Sequence, residues 1–221
     1  MRRTADTLAA LGGLLFPFLA IGGLLLALPA LPPDFSGPPN DIAQFLADNP
    51  PTGTAWLGLA LEMTGFVALL AFGARLAFGV AEDWAAFTIG ALVTAAVAVK
   101  VASIGPLLVA LTHGSDLAAD SQAVLFRLND AAVPVSDALL SCFVLGAGVA
   151  ILGSPVLPRW LGWFAVGSAG AMLTDLALGT GWLSLPMLVW FMTASVVLAL
   201  RIRRHRFEDT TPSGHRWTMA S

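Results

Sequence analysis

The sequence predicts an all-α fold, an integral membrane bundle of six transmembrane helices with both termini cytoplasmic. Three observations predict it. Of 221 residues, 57% are hydrophobic and 11% charged, with 22 glycines besides; a soluble core of this length cannot hide that much apolar surface. Six stretches each supply the roughly 20 mostly apolar residues that a spanning helix needs. Basic residues segregate to one side of the chain threaded through those spans. This composition excludes a soluble enzyme, a nucleic-acid binder and a disordered chain, and the single cysteine excludes a disulfide framework.

The spans fall near 8–31, 54–78, 84–111, 131–153, 157–179 and 183–200. The first follows Met1-Arg-Arg and contains Pro17, which should kink it. Its end is marked by Leu31-Pro-Pro-Asp and Ser36-Gly-Pro-Pro, and Asn49-Pro-Pro precedes the second span. Between them, Ile42, Phe45 and Leu46 share one helical face, with Asn40 as the expected N-cap. Spans two and three are joined by the short link 79–83 and should be antiparallel neighbours. His113-Gly-Ser-Asp ends the third span. In the following loop Leu117, Val124, Leu125 and Leu128 suggest a second short helix on the membrane surface or capping the bundle. Gly153-Ser-Pro and Gly179-Thr-Gly separate the last three spans. Residues 1–206 thus form one transmembrane domain, and the polar segment 207–221 is expected to be a disordered cytoplasmic tail.

With the N-terminus cytoplasmic, the inner segments hold Arg2, Arg3, Arg75, Arg159, Arg201, Arg203, Arg204, Arg206 and Arg216, whereas the outer loops hold Arg127 alone. Cytoplasmic loops carry such an excess. The outer loops instead hold Asp34, Asp41, Asp48, Asp116, Asp120 and Asp130. Trp56 and Trp182 fall at the outer interface and Trp84, Trp160 and Trp163 at the inner one, where amphipathic rings sit. A cleaved leader ending at Ala27-Leu-Pro-Ala30 is the rival reading of the N-terminus. Its apolar run of about 20 residues exceeds the 7–15 usual for a leader, which points to a retained helix.

Four charged residues fall inside spans: Glu62, Lys100, Asp137 and Asp175. At about 1.5 Å per residue, they lie roughly 12, 16, 9 and 6 Å in from the outer helix ends. They therefore share one layer in the outer half of the membrane, with His113, Arg127, Asn129 and Asp130 just above it. Intramembrane charges face a bundle interior, a cavity or one another. In a structural reading Lys100 pairs with one carboxylate, first of all Glu62. In a functional reading the acids and the lysine line an outward-facing cavity for a cation, a proton or a polar solute.

No catalytic constellation appears. A transmembrane haem needs facing histidines at membrane depth, and only His113 lies near it. His-Glu-x-x-His and Gly-x-Ser-x-Gly are both missing. Pro212-Ser-Gly-His215 is similar to one motif of membrane phosphatases, but its companion motifs are missing and it sits in the tail. No metal or cofactor is expected, and Cys142 reads as a small packing residue. Arg201, Arg203, Arg204 and Arg206 suit either a stop-transfer anchor or contact with anionic lipid headgroups.

The run Ser154-Pro-Val-Leu-Pro-Arg-Trp-Leu-Gly-Trp163 opens span five. With the short six-helix layout and the acidic outer loops, it resembles a group of bacterial multi-pass membrane proteins of unknown function. The element has a physical rationale: proline ends the loop, arginine faces phosphate, and the tryptophans seat the helix. The resemblance implies a bacterial inner-membrane location and carries no catalytic residues. The expected role is structural or partner-binding within the bilayer, with a small transporter or sensor as the alternative. The sequence leaves the oligomeric state open.

Overall fold

The computed structural model describes residues 2–180 and 182–210. Among these there are seven α-helices and no strand. They are α1 (Arg2–Ala27), α2 (Pro39–Asp48), α3 (Gly53–Val80), α4 (Asp83–His113), α5 (Ala119–Gly153), α6 (Arg159–Leu178) and α7 (Leu185–Thr210). All but α2 are long and apolar enough to cross a membrane. Their outward faces carry large exposed apolar side chains, such as Phe18, Val67, Phe87 and Val149, the surface a bilayer would cover.

The helix ends follow local chemistry. Pro17 is accommodated inside α1, which closes in a 3-10 turn at Leu28–Ala30 before the Pro32-Pro33 break. The α2 helix begins at Pro39 behind Pro38, so proline at the first helical position starts it and Asn40 is not its cap. Thr52 caps α3 by accepting from the Ala55 N–H at 3.4 Å. Gly179, at φ +66°, ends α6 in the left-handed conformation and returns its N–H to the Asp175 carbonyl at 2.7 Å.

Two expectations need correcting here. The segment after His113 does not form a separate surface helix. It is the first part of α5, which runs unbroken from Ala119 through Pro134 to Gly153. The face turned inward is Gln122, Ala123, Phe126 and Asn129, while Val124 and Leu128 are exposed. Continuity with the spanning part of α5 fixes that register. The second correction is at the C-terminal end, where α7 continues to Thr210, so 207–210 are helical; residues 211–221 lie outside the described residues.

The six long helices form a closed ring in the order α1, α3, α4, α5, α6, α7, with α7 packing back on α1. Six alternating crossings place the start of α1, the end of α7 and the links 81–82 and 154–158 at one end, the terminal end. The 31–38 loop, α2, the turn at 114–116 and the 179–184 link lie at the other, the far end. Phe191 is the hub: it meets Phe16, Phe72, Phe143 and Trp190 with ring centroids 5.4–6.3 Å apart. Trp190 is fully buried and donates its indole N–H to the Leu161 carbonyl at 3.1 Å. The Ser195 hydroxyl ties α7 to α1, donating to the Ala10 carbonyl and accepting from the Leu14 N–H.

Within lipid there is little hydrophobic force between helices, so close packing must hold them. The α1–α3 seam does this with glycine. A Cβ on Gly23 would lie 2.4 Å from the Gly58 carbonyl oxygen and 2.6 Å from the Glu62 nitrogen. One on Gly58 would lie 2.5 Å from the Gly23 oxygen. Gly148 and Gly162 bring α5 and α6 together in the same way.

The buried apolar residues fall into two clusters. The larger, on the terminal side, includes Phe66, Val97 and Leu140; the smaller, at the far end, includes Leu59, Leu107 and Phe126, with Ile42 and Leu46 of α2 packed onto it. Along α3, α4 and α5, the polar residues Glu62, Lys100, Asn129, Asp130, Ser136 and Asp137 fall between the two. The α2 helix therefore caps the far cluster through its apolar face.

Candidate functional site

The interval between the two clusters is a polar layer, and Lys100 is its centre. Its ammonium lies 3.3 Å from Glu62 Oε1, with both side chains largely buried. The same nitrogen sits 5.9 Å from the centroid of the Phe66 ring, one turn below Glu62 on α3. Glu62 is held in place from behind, because the Gly23 backbone of α1 packs directly on the Glu62 backbone.

The pair does not close the layer. Above it a cavity of about 510 Å³ opens between α1, α3, α4, α5 and the 31–36 loop. Glu62 and Lys100 form its floor, Leu28, Leu59 and Leu107 are among its apolar walls, and Asp34 and Asp130 lie on its rim. Asn129 also lines it. That residue is 6% exposed, and its Oδ1 accepts no hydrogen bond from any described residue. A smaller recess of about 150 Å³ shares Leu24, Glu62, Lys100 and Val133 with the cavity and adds Asp137. Asp137 lies within electrostatic reach of both Lys100 and Asp175.

The 31–36 loop is built to stay over this opening. Asp34 Oδ1 accepts from the Ser36 N–H at 2.8 Å and from the Ser36 hydroxyl at 2.7 Å. These bonds, the hydroxyl's first, hold the Asp34 carboxyl below its ordinary 3.8, with a small further pull from Arg127. Arg127, on α5, donates to the Gly37 carbonyl at 3.1 Å and the Ser36 carbonyl at 3.4 Å, clamping the loop to the bundle.

The structure thus puts Glu62 and Lys100 at the floor of the cavity with Asn129 and Asp130 among its lining, and places Asp137 beside the same pair in the smaller recess. The others stand apart. Asp175, buried at the end of α6, accepts from the Thr180 hydroxyl in its own turn. His113, exposed at the end of α4, has its Nδ1 2.7 Å from the Thr112 hydroxyl and does not line the cavity. Arg127 serves the loop. Cys142 is exposed on the outer surface of α5, not packed in the core. Arg201 donates to the Pro155 carbonyl at 3.2 Å, linking α7 to the loop before α6.

Two parts of the site escaped sequence reasoning. One is the Asp34–Ser36 turn, whose Asp-x-Ser spacing is a known local signal. The other is the glycine seam that seats Glu62, signalled by Gly58 and Gly65 on α3 facing the glycine-rich α1. No protein family, curated protein or solved structure matches the chain.

Proposed function

We propose that the chain is a bacterial inner-membrane protein with both termini cytoplasmic, which takes up a small cation or polar solute from the outer side into the cavity above Lys100, as a carrier or sensor. The observation that carries this reading is the cavity of about 510 Å³ whose floor is the Glu62–Lys100 pair. A cavity reaching intramembrane charges is the usual setting for a solute or ion site. The excess of arginine at the terminal end supports the orientation, and the resemblance of 154–163 to bacterial multi-pass proteins supports the location. The packing of α1 supports its being part of the working protein: without it Phe66 and Phe191 lose Phe16, and the cavity loses a wall.

A second reading draws on the 3.3 Å ion pair. In it the charges neutralise each other as a structural clasp, and the protein acts by holding a membrane partner. Cysteine labelling in intact cells separates the two. In a Cys142→Ser background, Ser36→Cys, Val133→Cys and Arg159→Cys are each exposed to a membrane-impermeant maleimide. Solute binding from outside predicts labelling at Ser36 and Val133 and none at Arg159. Labelling at Ser36 alone favours the clasp. Labelling at Arg159 alone overturns the orientation.

A further inference from the structure

We propose that the occupant of the cavity is an amphiphilic primary amine, a protonated amino group carried on an apolar body; this rests on the solute-binding reading above. Charge selects the sign. Asp34, Asp130 and Glu62 line the cavity against Lys100, Arg127 pulls on Asp34 from outside the lining, and Asp137 adds a further carboxylate in the adjoining recess, so four acids face two cations. Lys100 is already engaged, by Glu62 at 3.3 Å and the Phe66 ring at 5.9 Å, so its charge is not free for an anion. The space left to a ligand therefore carries excess negative charge, which attracts a cation and repels a carboxylate or phosphate.

Asn129 selects the kind of cation. It is buried, lines the cavity, and its Oδ1 lacks a donor among the described residues. A buried acceptor left unpaired is costly; the Oδ1 is shielded from the open space as it stands, and turning the amide about χ2 brings it to an incoming N–H, which a quaternary ammonium cannot offer. Asp130, next to it on α5 and on the same cavity wall, supplies a carboxylate for the same ammonium. Leu28, Leu31, Leu59, Ile104, Leu107 and Val133 supply the apolar wall, which rewards a hydrocarbon or aromatic body over a bare ammonium ion. A cavity of about 510 Å³ is in the size class of small-molecule sites.

The test is calorimetric titration of the full chain in nanodiscs, with empty nanodiscs subtracted. The probes are 4-phenylbutylammonium, its N-trimethyl analogue, 4-phenylbutyrate and methylammonium. The primary arylalkyl amine should bind at least tenfold more tightly than each of the others. Asn129→Leu should weaken it about tenfold and leave the trimethyl analogue unchanged. Asp130→Asn, at an exposed position that tolerates substitution, should weaken both cations. Filling the cavity with Val133→Trp should abolish binding. Equal binding of the carboxylate, the quaternary analogue or methylammonium overturns the amine assignment; if Val133→Trp still abolishes that binding, solute uptake into the cavity stands. No heat from any probe also overturns the amine assignment, and the cysteine labelling then decides by itself whether the cavity reading falls.

Discussion

Replacing Lys100 with methionine removes the one cation in the polar layer and keeps the length of its stem. At 3.3 Å the attraction between Lys100 and Glu62 is roughly 5 kcal/mol for an effective dielectric of about 20. Desolvation of both groups offsets much of that gain. The singly substituted protein, however, keeps the desolvation of Glu62 and loses its partner, with Asp137 close by. Breaking such a buried pair from one side typically costs about 3–5 kcal/mol, and Lys100→Met should fall in that range. Glu62→Gln should cost less, because Lys100 retains Asp137 within electrostatic reach. Combining Lys100→Met with Glu62→Gln removes both charges and should recover stability relative to Lys100→Met alone, with a coupling of about 1–3 kcal/mol. Exchanging the two residues, Glu62→Lys with Lys100→Glu, should recover part of the loss as well. The assay is thermal unfolding of each protein in one detergent, followed by helical circular dichroism. Strictly additive losses in both double variants would refute the direct pair. Rescue of Lys100→Met by Asp137→Asn instead of Glu62→Gln would assign the lysine to Asp137.

Gly23→Leu should cost more than about 3 kcal/mol in the same melting assay, since overpacking here meets backbone rather than a movable side chain. Gly22→Leu, where an added Cβ meets nothing within 4 Å, should be neutral. Trp190→Phe should lose about 0.5–1.5 kcal/mol by removing the indole N–H that the Leu161 carbonyl accepts in addition to its own helix bond, read from the same melts. The Asp34 carboxyl is held below 3.8 when folded, so its contribution to the 34–37 turn is full above that value. The contribution is lost as pH falls through the lower folded value. Carboxyl-carbon NMR titration should show the depressed midpoint in the native chain, and Ser36→Ala should return it towards 3.8.

Much of this architecture is written in the sequence at the level of spans. Hydropathy marks six crossings because lipid requires long uninterrupted apolar helices. Buried charge is legible for the same reason: Glu62 and Lys100 stand out in apolar runs, and the short link after α3 makes their helices neighbours. The limits are equally physical. The fourth span, expected to start near 131, starts at Ala119, and Pro134 lies inside it, as membrane helices tolerate when neighbouring groups re-satisfy the backbone. The inward face of 119–130 depends on the register of the whole helix, so Phe126 and Asn129 point inward, whereas the local pattern singles out Leu117, Val124, Leu125 and Leu128. Asp175 shares the depth of the other acids but is taken up by Thr180 five residues on, a turn geometry that depth alone does not reveal. The cavity itself lies where α1, α3, α4, α5 and the 31–36 loop meet, and no local pattern encodes that.

The central claim is that water and solute reach the polar layer through the cavity, and spin-label accessibility at Val133 tests it most directly. In a Cys142→Ser background, a nitroxide is attached at Val133→Cys, on the cavity wall, and at Val67→Cys, an exposed apolar position one turn from Glu62's layer. Power-saturation electron paramagnetic resonance in nanodiscs then compares collisions with a water-soluble nickel chelate and with oxygen. The expected result is nickel dominance at 133 and oxygen dominance at 67. Oxygen dominance at both positions would contradict the claim and leave the Glu62–Lys100 pair as a clasp sealed in lipid and protein.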